Sequence, residues 1–213
     1  MNLIQTDLFS SINPNEIPRL LECMRAKYVD FRKDEFIIEE GRATAAFGIV
    51  ISGRARSIKW DASGRLVIIT LIDKGGEVGV MLAAGGRPSP VAVQAIEDTT
   101  VMMIAFDRVV ARCSNNCQWH EQLLKNYIGV VAKKGVELYE RINCLLEPTV
   151  RDKIHTYLSR ISYEQGSRVF TVPFNRNIMA EYLNIERSAL SRELSRMKKD
   201  GLIDYHKNRF KLH

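Results

Sequence analysis

The chain has 213 residues, 46% of them hydrophobic, which is enough for one large or two small packed cores and argues against disorder. No run approaches the roughly 18 apolar residues of a membrane span, and the start, MNLIQTDLFSSINPNE, lacks the basic region and apolar core of a secretory signal, so a cytoplasmic protein is expected. The net charge of +6 is uneven: residues 147–213 carry 13 Lys/Arg against 8 Asp/Glu, a balance of +5, whereas residues 1–146 carry 18 against 17. A basic last third beside a near-neutral remainder suits a DNA-binding module joined to a partner domain.

Residues 14–25 read as one short helix, with Asn13 as cap, Pro14 at the first position and Glu16 at the third. Residues 28–106 then read as all-β. Runs at Tyr28–Phe31, Phe36–Ile38, Phe47–Ser52, Ala55–Trp60, Leu66–Ile72, Val91–Ala95 and Thr100–Ala105 alternate with Gly and Asp turns. Short strands at such spacing indicate a barrel or jelly roll. From about 107 to 146 the period changes. Leu123, Leu124, Tyr127, Ile128, Val131, Leu138 and Ile142 recur at three- and four-residue steps, predicting a long amphipathic helix. Its apolar stripe is broad enough to pack on the barrel and on a second copy of the chain, so a homodimer is expected.

Pro148 ends that pattern and divides the chain into 1–146 and 147–213. A helix over about 149–162 and a strand at Val169–Phe174 precede two helices, about 176–183 and 187–200, separated by a tight turn at Asn184. Gly201 stops the second, and Leu202–Tyr205 with Arg209–Leu212 form a hairpin around Lys207–Asn208. Two helices and a hairpin make a winged helix-turn-helix, giving an α+β chain overall. Leu190, Leu194 and Met197 should face the core with Ala180, Leu183 and Ile185. The opposite face then presents Arg187, Ser188, Ser191 and Arg192 to base edges. Arg176, Arg196, Lys199, Lys207 and Arg209 are candidates for phosphate contacts. Arg196, Lys198 and Lys199 have Glu193 and Asp200 as alternative partners. A dimer with two reading helices one duplex turn apart would read palindromic half-sites in double-stranded DNA.

Four cysteines, Cys23, Cys113, Cys117 and Cys144, form no CxxC pair. They read as reduced thiols. Cys113, Cys117 and His120 are the only clustered metal or redox candidates, short of a four-ligand set. Residues 28–106 contain neither His nor Cys, so His-based metal chemistry or acyl transfer has no material there and no enzyme is expected.

The stretch Ile178–Ala180, Leu183, Arg187–Ser188–Ala189–Leu190–Ser191–Arg192 and Gly201–Leu202–Ile203 resembles the bacterial cyclic-AMP receptor protein and fumarate–nitrate reduction regulator (Crp/Fnr) superfamily, and the likeness extends over nearly the whole chain. The resemblance implies an N-terminal, cyclic-nucleotide-binding-like jelly roll, a dimerisation helix and a C-terminal winged helix, with RNA polymerase as a partner. It places Arg187, Ser188 and Arg192 at the three principal base-reading positions. The middle one is usually Glu in the cyclic-AMP receptor, so Ser188 implies a different half-site.

The phosphate cassette of that superfamily is eroded here. Gly79–Val80 lacks the acid of Gly-Glu, Ser89–Pro90 stands at the Arg-Ser/Thr positions, and Arg87 comes two residues early. Cyclic-nucleotide binding is therefore not expected. A pocket for another small-molecule effector would draw on Gly76, Glu77, Gly79, Arg87, Ser89 and Tyr127, and would act by shifting the helix pair and the hinge at Glu147–Thr149. The alternative is a constitutive or thiol-responsive regulator whose ligand domain is vestigial. A single Cys before the barrel disfavours an iron–sulfur cluster, and the absence of His before His120 disfavours haem.

Overall fold

The computed structural model describes residues 6–64, 66–111 and 119–213. The chain divides into two compact units, with the division after Gly135.

In the first unit the N-terminal segment is two pieces rather than one helix. Asn13 accepts from the Asn15 N–H and opens a 3-10 turn, Pro14–Glu16, followed by α1, Ile17–Cys23. Pro18 explains the break: a single α-helix from residue 14 would need a donor at 18, and proline has none. Eight strands follow: β1 Lys27–Phe31, β2 Phe36–Ile38, β3 Ala46–Ser52, β4 Ala55–Trp60, β5 Leu66–Ile72, β6 Glu77–Val78, β7 Ala92–Ala95 and β8 Thr99–Ala105. They form two antiparallel sheets, ordered β1-β8-β3-β6 and β2-β7-β4-β5, in the jelly-roll arrangement. All seven expected strands are present. The two-residue β6 and a short helix between β6 and β7, α2 Val80–Gly85, were not expected.

The period-2 pattern of β3 and β8 sets the packing. Phe47, Ile49, Met102 and Ile104 share one core with Leu8, Phe9, Leu20, Leu123, Tyr127 and Val130. The intervening Gly48 is required by close approach: a Cβ there would lie 2.4 Å from Val101 Cγ1 and 2.8 Å from Met103 Sδ.

The helical region after β8 starts with α3, Phe106–Val110, and continues in α4, His120–Leu146. The long amphipathic helix expected in this region is α4, 27 residues long, preceded by the short α3. The His120 ring nitrogen Nε2 lies 2.9 Å and 3.0 Å from the Arg108 and Val109 carbonyls, occupying acceptors at the end of α3.

The second unit contains the last turns of α4, then α5 Val150–Glu164, β9 Val169–Thr171, α6 Arg176–Tyr182, α7 Arg187–Lys199, β10 Ile203–His206 and β11 Arg209–Leu212. Thr149 caps α5 by accepting from the Asp152 N–H, and Asn175 caps α6 by accepting from Ile178. The sheet order is β10-β11-β9. Tyr157, Leu158, Met179, Ala180, Leu183, Leu190, Leu194, Met197, Phe170 and Phe210 form the core. Cys144 of α4 is buried in the same core, which is why the compact division falls inside α4.

Candidate nucleic-acid interface

α7 buries one stripe and exposes the other. Leu190, Leu194 and Met197 are at most 1% exposed, and Ile185 packs on them at the turn. Arg187, Ser188, Ser191 and Arg192 are all exposed, as are Arg196, Lys198 and Lys199 in the last turns. Among the described residues, no carboxylate engages Arg187, Arg192 or Lys199. Glu193, the one acid within α7, is turned inward: Arg151 Nε lies 2.6 Å from its carboxylate, while Arg196 is 3.5 Å away. The exposed face of α7 is therefore cationic and hydroxylic. Arginine can grip guanine O6 and N7 through two donors, worth about 1–3 kcal/mol of discrimination per base.

The expected partners of the other cations are partly exchanged. Lys198 pairs with Asp204 of β10 at 2.6 Å rather than with Glu193 or Asp200, and Asp200 is held by Arg151 at 2.8 Å. Those bonds raise the Lys198 and Arg151 pKa values and lower that of Asp204. Lys207 and Arg209 are exposed at the wing, Lys207 in the left-handed conformation with φ 53°. Arg176 is placed differently from a free phosphate donor. Its guanidinium lies 4.9 Å from the Tyr205 ring centre and 4.8 Å from that of Phe210, and Nη2 donates to the Lys207 carbonyl at 3.0 Å. It braces the wing, and burial lowers its pKa against the opposing effect of Tyr205.

Around α2, the polar groups of the candidate effector residues Tyr127, Ser89 and Glu77 are engaged by the protein itself. Tyr127 is 3% exposed, lies between Phe47 and Phe106 (ring centres 4.9 and 5.2 Å away), and its hydroxyl donates to the Val80 carbonyl. Burial pushes its phenol up to about 12, so it is a neutral donor at working pH. The Ser89 hydroxyl donates to the Val91 carbonyl at 2.6 Å. Glu77 faces Lys134 of α4 at 3.7 Å. Gly79 is left-handed at φ 72°, and a Cβ there would stand 2.7 Å from Ile38 Cδ1. A Cβ on Gly76 would meet Ile72 Cγ2 at 2.9 Å, and Arg87 is exposed after α2. A separate depression of about 600 Å³, lined in part by Asp30, Arg32, Glu35, Ser52, Asp98 and Thr100, contains none of these six residues.

Of the seven residues expected on the dimer helix, Leu123 and Tyr127 are buried, and Leu124 and Val131 pack against the same core. Ile128 (60%), Leu138 (41%) and Ile142 (47%) are exposed. Tyr139 and Leu146, which the sequence reading passed over, are more exposed still, at 72% and 76%. Ile128, Ala132, Gly135, Tyr139, Ile142 and Leu146 follow a 4-3-4-3-4 spacing, the seam of a coiled coil.

Cys113 and Cys117 lie outside the described residues. Cys144 is buried, and desolvation raises its thiol pKa. Among the described residues, no group of three or more His, Cys, Asp and Glu could hold a metal ion, and no helix is long and apolar enough to cross a membrane.

Residues 28–116 match the cyclic nucleotide-binding domain model, and residues 152–213 match the Crp-like helix-turn-helix domain model. The chain belongs to the Crp/Fnr superfamily. It is similar to the transcriptional activator protein FnrA of Stutzerimonas stutzeri, 24% identical over 178 residues spanning 81% of this chain and 71% of the relative. It is likewise 24% identical to the transcriptional activator protein Anr of Pseudomonas aeruginosa, over 81% of this chain and 70% of that one. The fold matches that of FixK2 from Bradyrhizobium japonicum, with a TM-score of 0.61, 21% identity, and coverage of 88% and 92% of the two chains. It also matches the c-di-GMP responsive regulator CLP of Xanthomonas campestris, with a TM-score of 0.66, 16% identity, and coverage of 94% and 99%.

The chain is thus a DNA-binding transcription regulator of Crp/Fnr type, with an N-terminal domain of ligand-binding form. The superfamily is one of regulators, not catalysts. Arg141, Arg151 and Arg176 are the functional-site neighbours that sequence reasoning missed or misplaced. Each acts through a partner at least 29 residues away in the chain.

Proposed function

We propose that the chain works as a homodimer that reads a two-fold symmetric operator, with residues 147–213 as the DNA-binding part, and that it does so without a small-molecule effector in the jelly roll. The observation that carries the DNA reading is the segregation of α7: its one acid is paired inward, while Arg187, Ser188, Ser191 and Arg192 stand exposed. The exposed 4-3 stripe on α4 supports a second copy of the chain as partner.

The effector-free reading is favoured over an effector-gated one by the polar groups around α2. A ligand would have to displace the bonds that Tyr127 and Ser89 make to their own backbone, and Arg87 and Ser89 form no shared anion cradle. Ser188 in place of a carboxylate favours guanine contacts from the flanking arginines over acceptance from cytosine N4.

The test is selection from a random-sequence duplex pool, using chain unfolded in urea, dialysed free of small molecules and refolded. The enriched sequence should be a palindrome whose half-site centres lie about 10 base pairs apart. An enriched sequence without two-fold symmetry, or no enrichment, would defeat the proposal.

A further inference from the structure

The end of α6 needs a donor that its own turn cannot supply. The Leu183 N–H returns to the Met179 carbonyl at 3.1 Å, the Asn184 N–H to Glu181 at 3.1 Å, and the Ile185 N–H to Ala180 at 3.0 Å. These paired returns require the left-handed backbone of Asn184, φ 50°. They satisfy the carbonyls of Met179, Ala180 and Glu181 and pass over that of Tyr182. Arg141, in the last turns of α4, fills the gap: its Nε lies 3.3 Å from the Tyr182 oxygen, and its guanidinium carbon 4.9 Å from the centre of the Tyr182 ring. The ring is fixed in turn by Tyr157 and Phe174, at 5.4 and 5.2 Å. One cation thus completes a helix C-terminus and stacks on its last side chain.

The location gives this contact a consequence. Tyr182 immediately precedes the Leu183–Ile185 turn, and α7 begins at Arg187. Arg141 is only 7% exposed, so its guanidinium is buried rather than presented to solvent. We propose that Arg141 is a positioning residue for sequence reading: through Tyr182 it fixes the turn from which α7 departs, and so sets specific DNA affinity without touching DNA. The proposal rests on the assignment of α7 as the reading helix.

A phosphate-contacting arginine strengthens binding to every duplex and steepens its salt dependence, whereas a positioning residue matters only where base edges must be met. Full-length protein is titrated by fluorescence anisotropy against the duplex enriched by the wild type and against poly(dI-dC), each at several salt concentrations. Arg141→Met should bind the enriched duplex about tenfold more weakly, with poly(dI-dC) affinity and salt slope unchanged. Arg141→Lys, which keeps the charge and a donor, should recover part of the loss. The ring contact is the part the two variants share, so Tyr182→Leu should lower specific affinity less in the Arg141→Met background than it does in the wild type. Wild-type specific affinity in Arg141→Met would overturn the proposal, as would equal losses on both duplexes with a salt slope lower by about one. If Arg141→Met fails to fold, Arg141→Lys and Tyr182→Leu carry the test, and full specific affinity in both overturns it. A wild-type chain that enriches no duplex refutes the reading assignment instead, a result distinct from wild-type binding that Arg141→Met leaves intact.

Discussion

Replacing Tyr127 measures how completely the jelly roll is filled by its own side chains. Tyr127→Phe removes one hydroxyl and its bond to the Val80 carbonyl, leaving a buried acceptor short of a donor, at a cost of about 1 kcal/mol. Tyr127→Ala also removes the ring held between Phe47 and Phe106, and a fully packed aromatic lost in this way costs about 3–5 kcal/mol. The assay is urea unfolding followed by tryptophan emission. The two tryptophans, Trp60 and Trp119, both lie in the first compact unit, so the signal follows that unit alone. With a urea slope of about 2 kcal/mol/M, the midpoint should fall by about 0.5 M for Tyr127→Phe and about 2 M for Tyr127→Ala. An unmoved midpoint in Tyr127→Phe, or a loss below about 1 kcal/mol in Tyr127→Ala, would mean that Tyr127 borders an open cavity and would refute the filled-interior argument.

Three further outcomes follow from the same geometry. Arg192→Ala should lower affinity for the enriched duplex by about 1–3 kcal/mol and relax its preference at one base position, whereas Lys207→Ala should weaken all duplexes alike and reduce the salt slope by about one; anisotropy titrations separate the two. Ile142→Glu places a charge on the exposed stripe of α4 and should shift the protein to monomers in sedimentation equilibrium, with operator affinity lost in parallel. Asn184→Val forces a β-branched residue into the left-handed region and should destabilise the second unit by about 1–2 kcal/mol, read by the tyrosine near-ultraviolet circular dichroism of that unit, while Asn184→Gly should be close to neutral.

The parts of this chain that sequence made legible are those governed by local rules. β3, β4 and β5 announce themselves by branched and aromatic runs between Gly and Asp turns. α6 and α7 do so by the Asn175 cap, Asn184 at the turn and the 4-3 spacing of Leu190, Leu194 and Met197. α2 was hidden because Val80–Gly85 is a short apolar run bracketed by glycines, with neither helical nor strand period. The breadth of the α4 stripe shows room for both the barrel and a second copy, but not which residues face which: Leu123 and Tyr127 serve the jelly-roll core, while Ile128, Tyr139 and Leu146 stay outside.

Side-chain roles decided by distant partners were not legible. Nothing in the neighbourhood of Arg176 shows that it will stack on Tyr205 and Phe210, or in that of Lys198 that it will choose Asp204. Arg141 carried no local signal at all, because Tyr182 is 41 residues away. For the effector candidates, the hydrogen bonds of Tyr127 and Ser89 to the Val80 and Val91 carbonyls arise from packing that no motif spells out.

The most direct test of the account compares operator affinity before and after the chain is stripped of small molecules. The protein as purified and the same protein refolded from urea after dialysis are titrated against the enriched palindromic duplex, with stoichiometry read from sedimentation of the complex. The account predicts equal affinities and two chains per duplex. Binding that disappears on stripping and returns with the small-molecule fraction removed by dialysis would contradict it, and would restore an effector to the jelly roll.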